Sequence, residues 1–273
     1  MSKPLEQELG GSRRMNRIEK VFQQVIENDE KSFVPYIMAG DGGMEVLVDR
    51  IKFLEKCGAT AIELGIPFSD PVADGPTIQQ AGIRALQHGT TLKDVLVCIG
   101  KAREDFEIPI IVMSYMNPIL AYGMNDFAKD AQQAGIDGCI IPDLPIEEEA
   151  MIQPLLEKFG IELIRLVTLT SPLERIQEIA SKGKGYLYAV TITGITGARS
   201  GFGKSLGEYL LKVKSVSPIP VLAGFGISSA EQVKDVTQYC DGVIVGSKIV
   251  ELFNEGNVAE IQALIKASKK VKI

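Results

Sequence analysis

MEVLVDRIKFLEKCGATAIELG, residues 44–65, decides the fold. Its first fifteen residues set Val46, Val48, Ile51, Phe53, Leu54 and Cys57 broadly on one helical face. Gly58 follows where a helix should stop, and TAIELG (60–65) then reads as a short strand. The same grammar recurs to the end of the chain. The other strand candidates are FVPYIM (33–38), IPIIVM (108–113), GCIIP (138–142), ELIRLV (162–167), YLYAVT (186–191), IPVLAG (219–224) and GVIVG (242–246), which makes eight. MNDFAKDAQQAG (124–135) is a second clear amphipathic helix, and Ala134-Gly135 and Phe159-Gly160 repeat the glycine stop. Near-continuous apolar strands are buried on both faces, as parallel strands under a cover of helices are. Eight β–α units with no linker predict a single TIM (β/α)8 barrel with an extra N-terminal helix. The barrel should span residues 17–273, behind a flexible polar tail at 1–16. An open doubly wound sheet is the competing arrangement.

The composition narrows the chemistry. Of 273 residues, 45% are apolar and 23% charged, as in ordinary globular proteins. Asp and Glu total 35 against 29 Lys and Arg, a net charge of −6, so no basic excess points to nucleic acid. The one histidine, His88 in LQHGTT, excludes an HExxH site or a multi-histidine metal cage. It reads as a helix-end or surface residue. Cys57, Cys98, Cys139 and Cys240 form no CxxC pair. They read as buried small hydrophobes in a reducing compartment. No apolar run approaches the ~18–20 residues of a membrane span, and the polar MSKPLEQELGGSRRMN has no signal core. A cytoplasmic protein without membrane attachment is expected.

Two glycine motifs fail as nucleotide signatures. GFGISS (224–229) ends in serine and follows the seventh strand, and ARSGFGKS (198–205) has Ala198 where a P-loop needs glycine. A barrel offers another use. Phosphate sits at the loops after strands seven and eight, here Gly224-Phe225-Gly226 and Gly246-Ser247. TGITGARSGFG (193–203), after strand six, is long enough to be a lid. The plainer reading is that these glycines permit tight turns.

Alternation in strand two puts Ala61, Glu63 and Gly65 on one side, Ile62 and Leu64 on the other. With the bulky pair facing the helices, Glu63 points into the barrel near its C-terminal mouth. Burial there should raise its pKa into the range useful for proton transfer. A structural ion pair with Lys or Arg is the alternative. The next loop, GIPFSDPVADGP (65–76), is stiffened by three prolines and carries Asp70 and Asp74. Either is a candidate second acid/base group, and turn chemistry alone would also explain them.

ELGIPFSDPVADGPTIQ (63–79) resembles the signature of the tryptophan synthase alpha chain family. FVPYIMAGD (33–41), YMNPIL (115–120), IPDLP (141–145), TGITGAR (193–199), GFGISS (224–229) and VGSKIV (245–250) extend the resemblance from about residue 18 to the C-terminus. It implies retro-aldol cleavage of indole-3-glycerol phosphate to indole and glyceraldehyde 3-phosphate. No metal and no cofactor is implied in this chain. A partner beta chain carrying pyridoxal phosphate (PLP) is implied, in an alpha2beta2 complex. By motif, Glu63 matches the essential glutamate, Asp74 the aspartate that holds the indole N–H, and Tyr188 the active-site tyrosine. The indole pocket would draw on Tyr36, Ile78, Met113, Tyr115, Ile140, Leu166 and Phe225. The phosphate would rest on Thr196, Gly197, Gly224, Gly226, Gly246 and Ser247. Pro67 and Asp70 match the part that meets the beta chain. Two stretches depart from the family pattern, GDGG (40–43) and RLVTLTSP (165–172). A stand-alone indole lyase and a barrel retained only as a regulatory subunit are the rival functions.

Overall fold

The computed structural model describes residues 15–191, 204–224 and 226–269. Helix α1 (Arg17–Glu27) precedes strand β1 (Ser32–Met38). There follow α2 (Leu47–Lys56), β2 (Ile62–Gly65), α3 (Pro76–Gln87), α4 (Leu92–Ala102) and β3 (Ile110–Met113). Next come α5 (Met116–Tyr122), α6 (Met124–Ala134), β4 (Gly138–Ile140), α7 (Gln153–Lys158), β5 (Glu162–Leu163) and β6 (Arg165–Thr168). The chain continues with α8 (Leu173–Ser181), β7 (Leu187–Val190), α9 (Lys204–Val216), β8 (Val221–Gly224), α10 (Ala230–Val236) and β9 (Gly242–Val245). Helices α11 (Ser247–Glu255) and α12 (Val258–Ala267) complete it.

The strands run parallel in the order β5-β4-β3-β2-β1-β9-β8-β7-β6. This is the TIM barrel that the β–α alternation predicts, with one correction. ELIRLV is not one uninterrupted strand: it divides at Ile164. Glu162 and Leu163 pair with β4, while Arg165–Thr168 pair with β7. The Ile164 N–H still donates to the Cys139 carbonyl. Chain continuity through Ile164 therefore joins the two ends of the sheet, because each half of the strand serves a different neighbour.

Side-chain alternation sorts the core into two layers. Ile62, Leu64, Ile110, Val112, Leu187, Ala189, Val243 and Val245 face outward against the helices. Val34, Ala61, Ile111, Ile140, Ile164, Tyr186, Leu222 and Ile244 fill the interior, one from each strand or the residue leading into it. Arg165 faces outward and is nearly fully buried. Its guanidinium donates to both oxygens of Glu149 and to the Lys182 carbonyl, which compensates its lost hydration.

Helix α1 closes the N-terminal end of the barrel. Asn16 and Glu19 form a capping box at its start. Its Ile18 and Phe22 join the interior cluster. In the 44–58 helix the buried stripe is Leu47, Ile51 and Leu54. Val46 is only half-buried, because residues 44–46 form a separate 3-10 turn ahead of α2. Gly58, Gly135 and Gly160 all adopt positive φ after their helices, as the stop signals require. His88 is the exposed C-cap of α3. All four cysteines are free, but only Cys139 and Cys240 are buried. Cys57 and Cys98 are half-buried at helix edges, so the expectation of four buried cysteines holds for two.

Candidate active site

The side chain of Glu63 points into the barrel interior, 1% exposed, as strand alternation requires. Its partner is not a cation. The hydroxyl of Tyr186 donates to Glu63 Oε1 at 2.6 Å. Burial pushes the Glu63 carboxyl up to about 8, and the Tyr186 hydrogen bond holds it partly down. Tyr186 belongs to the site, although the motif resemblance singled out only Tyr188. The signal for it was present in YLYAVT, because residues two apart in a strand share a face.

Asp74 lies in the loop between β2 and α3 and is buried, at 6% exposure. Its backbone N–H donates to the Pro71 carbonyl, and its own carbonyl accepts from Gln79 Nε2. The Tyr115 hydroxyl accepts from the Ala73 N–H at 2.9 Å, which ties this loop to the end of β3. Burial raises the Asp74 carboxyl to about 6, opposed by its hydrogen bond with Tyr115. Asp70 is exposed and pairs with Ser69. Of the two loop aspartates, only Asp74 is in the interior environment.

Tyr36, Tyr115 and Tyr188 surround these carboxylates. Burial raises the Tyr36 phenol, and Asp74, Glu63, Tyr115 and Tyr188 push it further. Tyr188 is raised by burial, then by Glu63 and Asp74. These phenols stay protonated and can donate hydrogen bonds. Two glycines make room for them. A Cβ on Gly65 would collide with the Tyr36 hydroxyl, and one on Gly224 would collide with the Tyr188 hydroxyl. Both rings therefore lean over a neighbouring strand that has no side chain at that point.

The apolar candidates converge on the same end. Tyr36, Met38, Ile78 and Val250 form a buried cluster against Met113. Ile140 and Tyr188 lie in the interior cluster, with half-buried Met113 and Leu166 packed against it. The glycine turns meet there too. Gly224 ends β8, exposed Gly226 has φ 82°, and Gly246 is the N-cap of α11. No side chain caps α11, so the N–H groups around Ser247 remain open to an anion. Gly224 differs from the others: its carbonyl accepts from Thr191, and its open side faces Tyr188. Thr196, Gly197, Phe225 and the 193–203 loop lie outside the described residues. On the rim, Pro67 is buried within the chain, whereas Val72, next to Asp70, is 78% exposed.

The sequence and the fold are similar to those of known proteins. A family model described as tryptophan synthase alpha chain matches residues 22–272. The tryptophan synthase alpha chain of a Bacillus cereus strain is 51% identical over 249 residues, covering 91% of this chain and 96% of that one. The alpha chain of Bacillus thuringiensis subsp. konkukian is 50% identical over 256 residues, covering 94% and 98%. Among solved structures, tryptophan synthase subunit alpha from Legionella pneumophila superposes with a TM-score of 0.84 at 37% identity, covering 93% and 98%. A chain of Mycobacterium tuberculosis tryptophan synthase superposes with a TM-score of 0.87 at 34% identity, covering 94% and 100%.

Proposed function

The chain belongs to the tryptophan synthase alpha chain family and is a lyase for indole-3-glycerol phosphate, and from that premise we propose that Glu63 carries its proton transfers while Asp74 supplies a fixed negative charge. The observation behind this is a pair of buried carboxylates whose surroundings push them to different values, about 8 and about 6. Such a separation gives the two carboxylates different roles, one a proton carrier and the other a fixed charge. At neutral pH Glu63 holds its proton and Asp74 has mostly lost its own.

Protonated Glu63 delivers its proton to indole C3. The positive charge that develops on the ring is held by ionised Asp74 at the indole N–H. The bond between C3 and the carbinol carbon then breaks, and its electrons restore the indole ring. Glu63, now a carboxylate, takes the proton from the carbinol hydroxyl as that carbon becomes the aldehyde of glyceraldehyde 3-phosphate. One proton is given and one recovered, so the cycle closes without a net acid or base. Tyr186 steadies the carboxylate stage, and Tyr188 stands over both acids as a neutral donor.

Tyr36, Ile78, Met113, Tyr115, Ile140, Leu166 and Phe225 would enclose the indole. The amides around Gly226, Gly246 and Ser247, with Thr196 and Gly197, would hold the phosphate. Gly224 would serve mainly to admit Tyr188. Residues 17–273 would act as one catalytic barrel.

Released indole is small and apolar, so direct transfer to a beta chain that uses pyridoxal phosphate is the natural next step, in an alpha2beta2 complex. Asp70, with exposed Val72, would meet that chain, and Pro67 would shape the loop from within. A cytoplasmic setting fits: among the described residues no helix is long and apolar enough to cross a membrane. The test is indole release from indole-3-glycerol phosphate, with and without a beta chain. Release that the beta chain accelerates supports the whole reading. Release without acceleration supports a stand-alone lyase, and binding without release a regulatory barrel.

A further inference from the structure

We propose that Phe22, on the helix that plugs the bottom of the barrel, is a positioning residue for Glu63, acting through the ring of Tyr186. The inference rests on Glu63 being the proton carrier. Phe22 is 4% exposed and stacks on Tyr186, with ring centroids 5.4 Å apart and planes 27° from parallel. Tyr186 is fully buried, and its hydroxyl reaches Glu63 Oε1 at 2.6 Å. One face of the donor ring is thus set by a helix that lies at the opposite end of the barrel from the catalytic mouth.

The helix itself is firmly seated. Arg17 Nη1 donates to Asp137 Oδ1 at 2.9 Å, and Asn16 Nδ2 donates to Glu162 Oε1 at 2.7 Å. Ile18 lies against the backbone that leads into Tyr186: a Cβ on Gly185 would come 3.1 Å from Ile18 Cγ2. Gly185 itself has φ 71°, so the turn that delivers Tyr186 is both sharp and closely covered. The hydroxyl of a tyrosine lies far from its Cα, so a small tilt of the ring moves it by a large fraction of a hydrogen-bond length. A wall beneath the ring fixes that tilt. The groups facing Glu63 are Tyr186, which leads into β7, Tyr188 on β7 and Tyr36 from β1, with Asp74 beyond. Arg17, at the start of α1, is engaged with Asp137, and the α1 side chains in or packed against the interior cluster, Ile18, Val21 and Phe22, are all apolar. The route from α1 to Glu63 is therefore packing, not charge.

The test is the pH profile of kcat/KM for indole release by the full-length chain, which reports groups of the free enzyme. Phe22→Leu keeps most of the buried volume and removes the flat ring. It should move the bend assigned to Glu63 upward, by about half a unit to one unit, as a weakened hydrogen bond to a carboxylate does. Phe22→Ala should move it further if it folds. Val25→Ala, buried on the same helix but outside the Phe22–Tyr186 cluster, should leave the bend in place while lowering stability. In a Tyr186→Phe background, Phe22→Leu should produce no additional shift. The proposal is overturned if Phe22→Leu lowers only stability or amplitude, or if it shifts the bend equally without the Tyr186 hydroxyl. Turnover by Glu63→Gln would remove the premise, and the proposal with it. An inactive Glu63→Gln beside an unmoved bend in Phe22→Leu would remove the role of Phe22 alone.

Discussion

Tyr186 and Glu63 are 123 residues apart in sequence and share a 2.6 Å hydrogen bond inside the barrel. The donor is a phenol held protonated by burial, and the acceptor is a carboxyl raised by the same burial to about 8. A cation in place of Tyr186 would lock Glu63 as a carboxylate. A phenol steadies the ionised form without abolishing the neutral one, so both stages of a proton shuttle remain reachable.

Replacing Glu63 by Gln keeps the shape and an acceptor for Tyr186 but removes the transferable proton. Indole release should fall by at least about 10²–10⁴-fold, the usual worth of a general acid–base group. Binding of glycerol phosphate, followed by calorimetry, should stay near wild type.

The same substitution should stabilise the fold at neutral and alkaline pH. Glu63 has a folded-state value near 8 against 4.5 when unfolded. Below 4.5 both states are protonated and the group costs little. As pH rises from 4.5 to 8, the unfolded chain ionises freely while the folded chain resists, so stability drains away across that window. Denaturant unfolding should find Glu63→Gln more stable than wild type by on the order of a few kcal/mol at pH 8, with the advantage fading toward pH 4.5.

Tyr115→Phe removes the acceptor of the Ala73 N–H and a group that lowers Asp74. The lower bend of the pH–rate profile, assigned to Asp74 near 6, should rise. Activity at pH 6 should therefore drop more than activity at pH 8. Stability should fall by about 1 kcal/mol, the net worth of a typical hydrogen bond.

Gly224→Ala introduces a Cβ into the space of the Tyr188 hydroxyl, closer than real contacts tolerate. The tyrosine ring must turn away, so indole release should fall at least tenfold. Tyr188→Phe should recover little of that loss when combined with Gly224→Ala, because the added Cβ would also meet the ring carbons Cε1 and Cζ that phenylalanine keeps. Rates of the two single variants and the double variant decide the matter.

Arg165 and Glu149 form a buried, multiply bonded pair where the strand-five halves join. Glu149→Gln leaves a buried guanidinium without its counter-charge and should cost about 3–5 kcal/mol in thermal or denaturant unfolding. Replacing both residues by apolar ones of similar volume should cost far less.

Much of this protein is local information. Apolar runs of strand length between amphipathic stretches and glycine stops are properties of neighbouring residues, and they determine a parallel barrel. Period-two alternation within TAIELG is enough to send Glu63 inward, and barrel geometry then brings it to the same mouth as Gly226 and Gly246. Tertiary structure alone decided what those groups meet. Glu63 has a tyrosine and not a cation, Asp74 rather than Asp70 is buried, and Pro67 is covered by its own chain. The division of strand five at Ile164, and the stacking of Phe22 beneath Tyr186, were equally invisible. Periodicity records which way a side chain points. Dielectric surroundings and hydrogen-bond partners depend on residues that only barrel closure brings together.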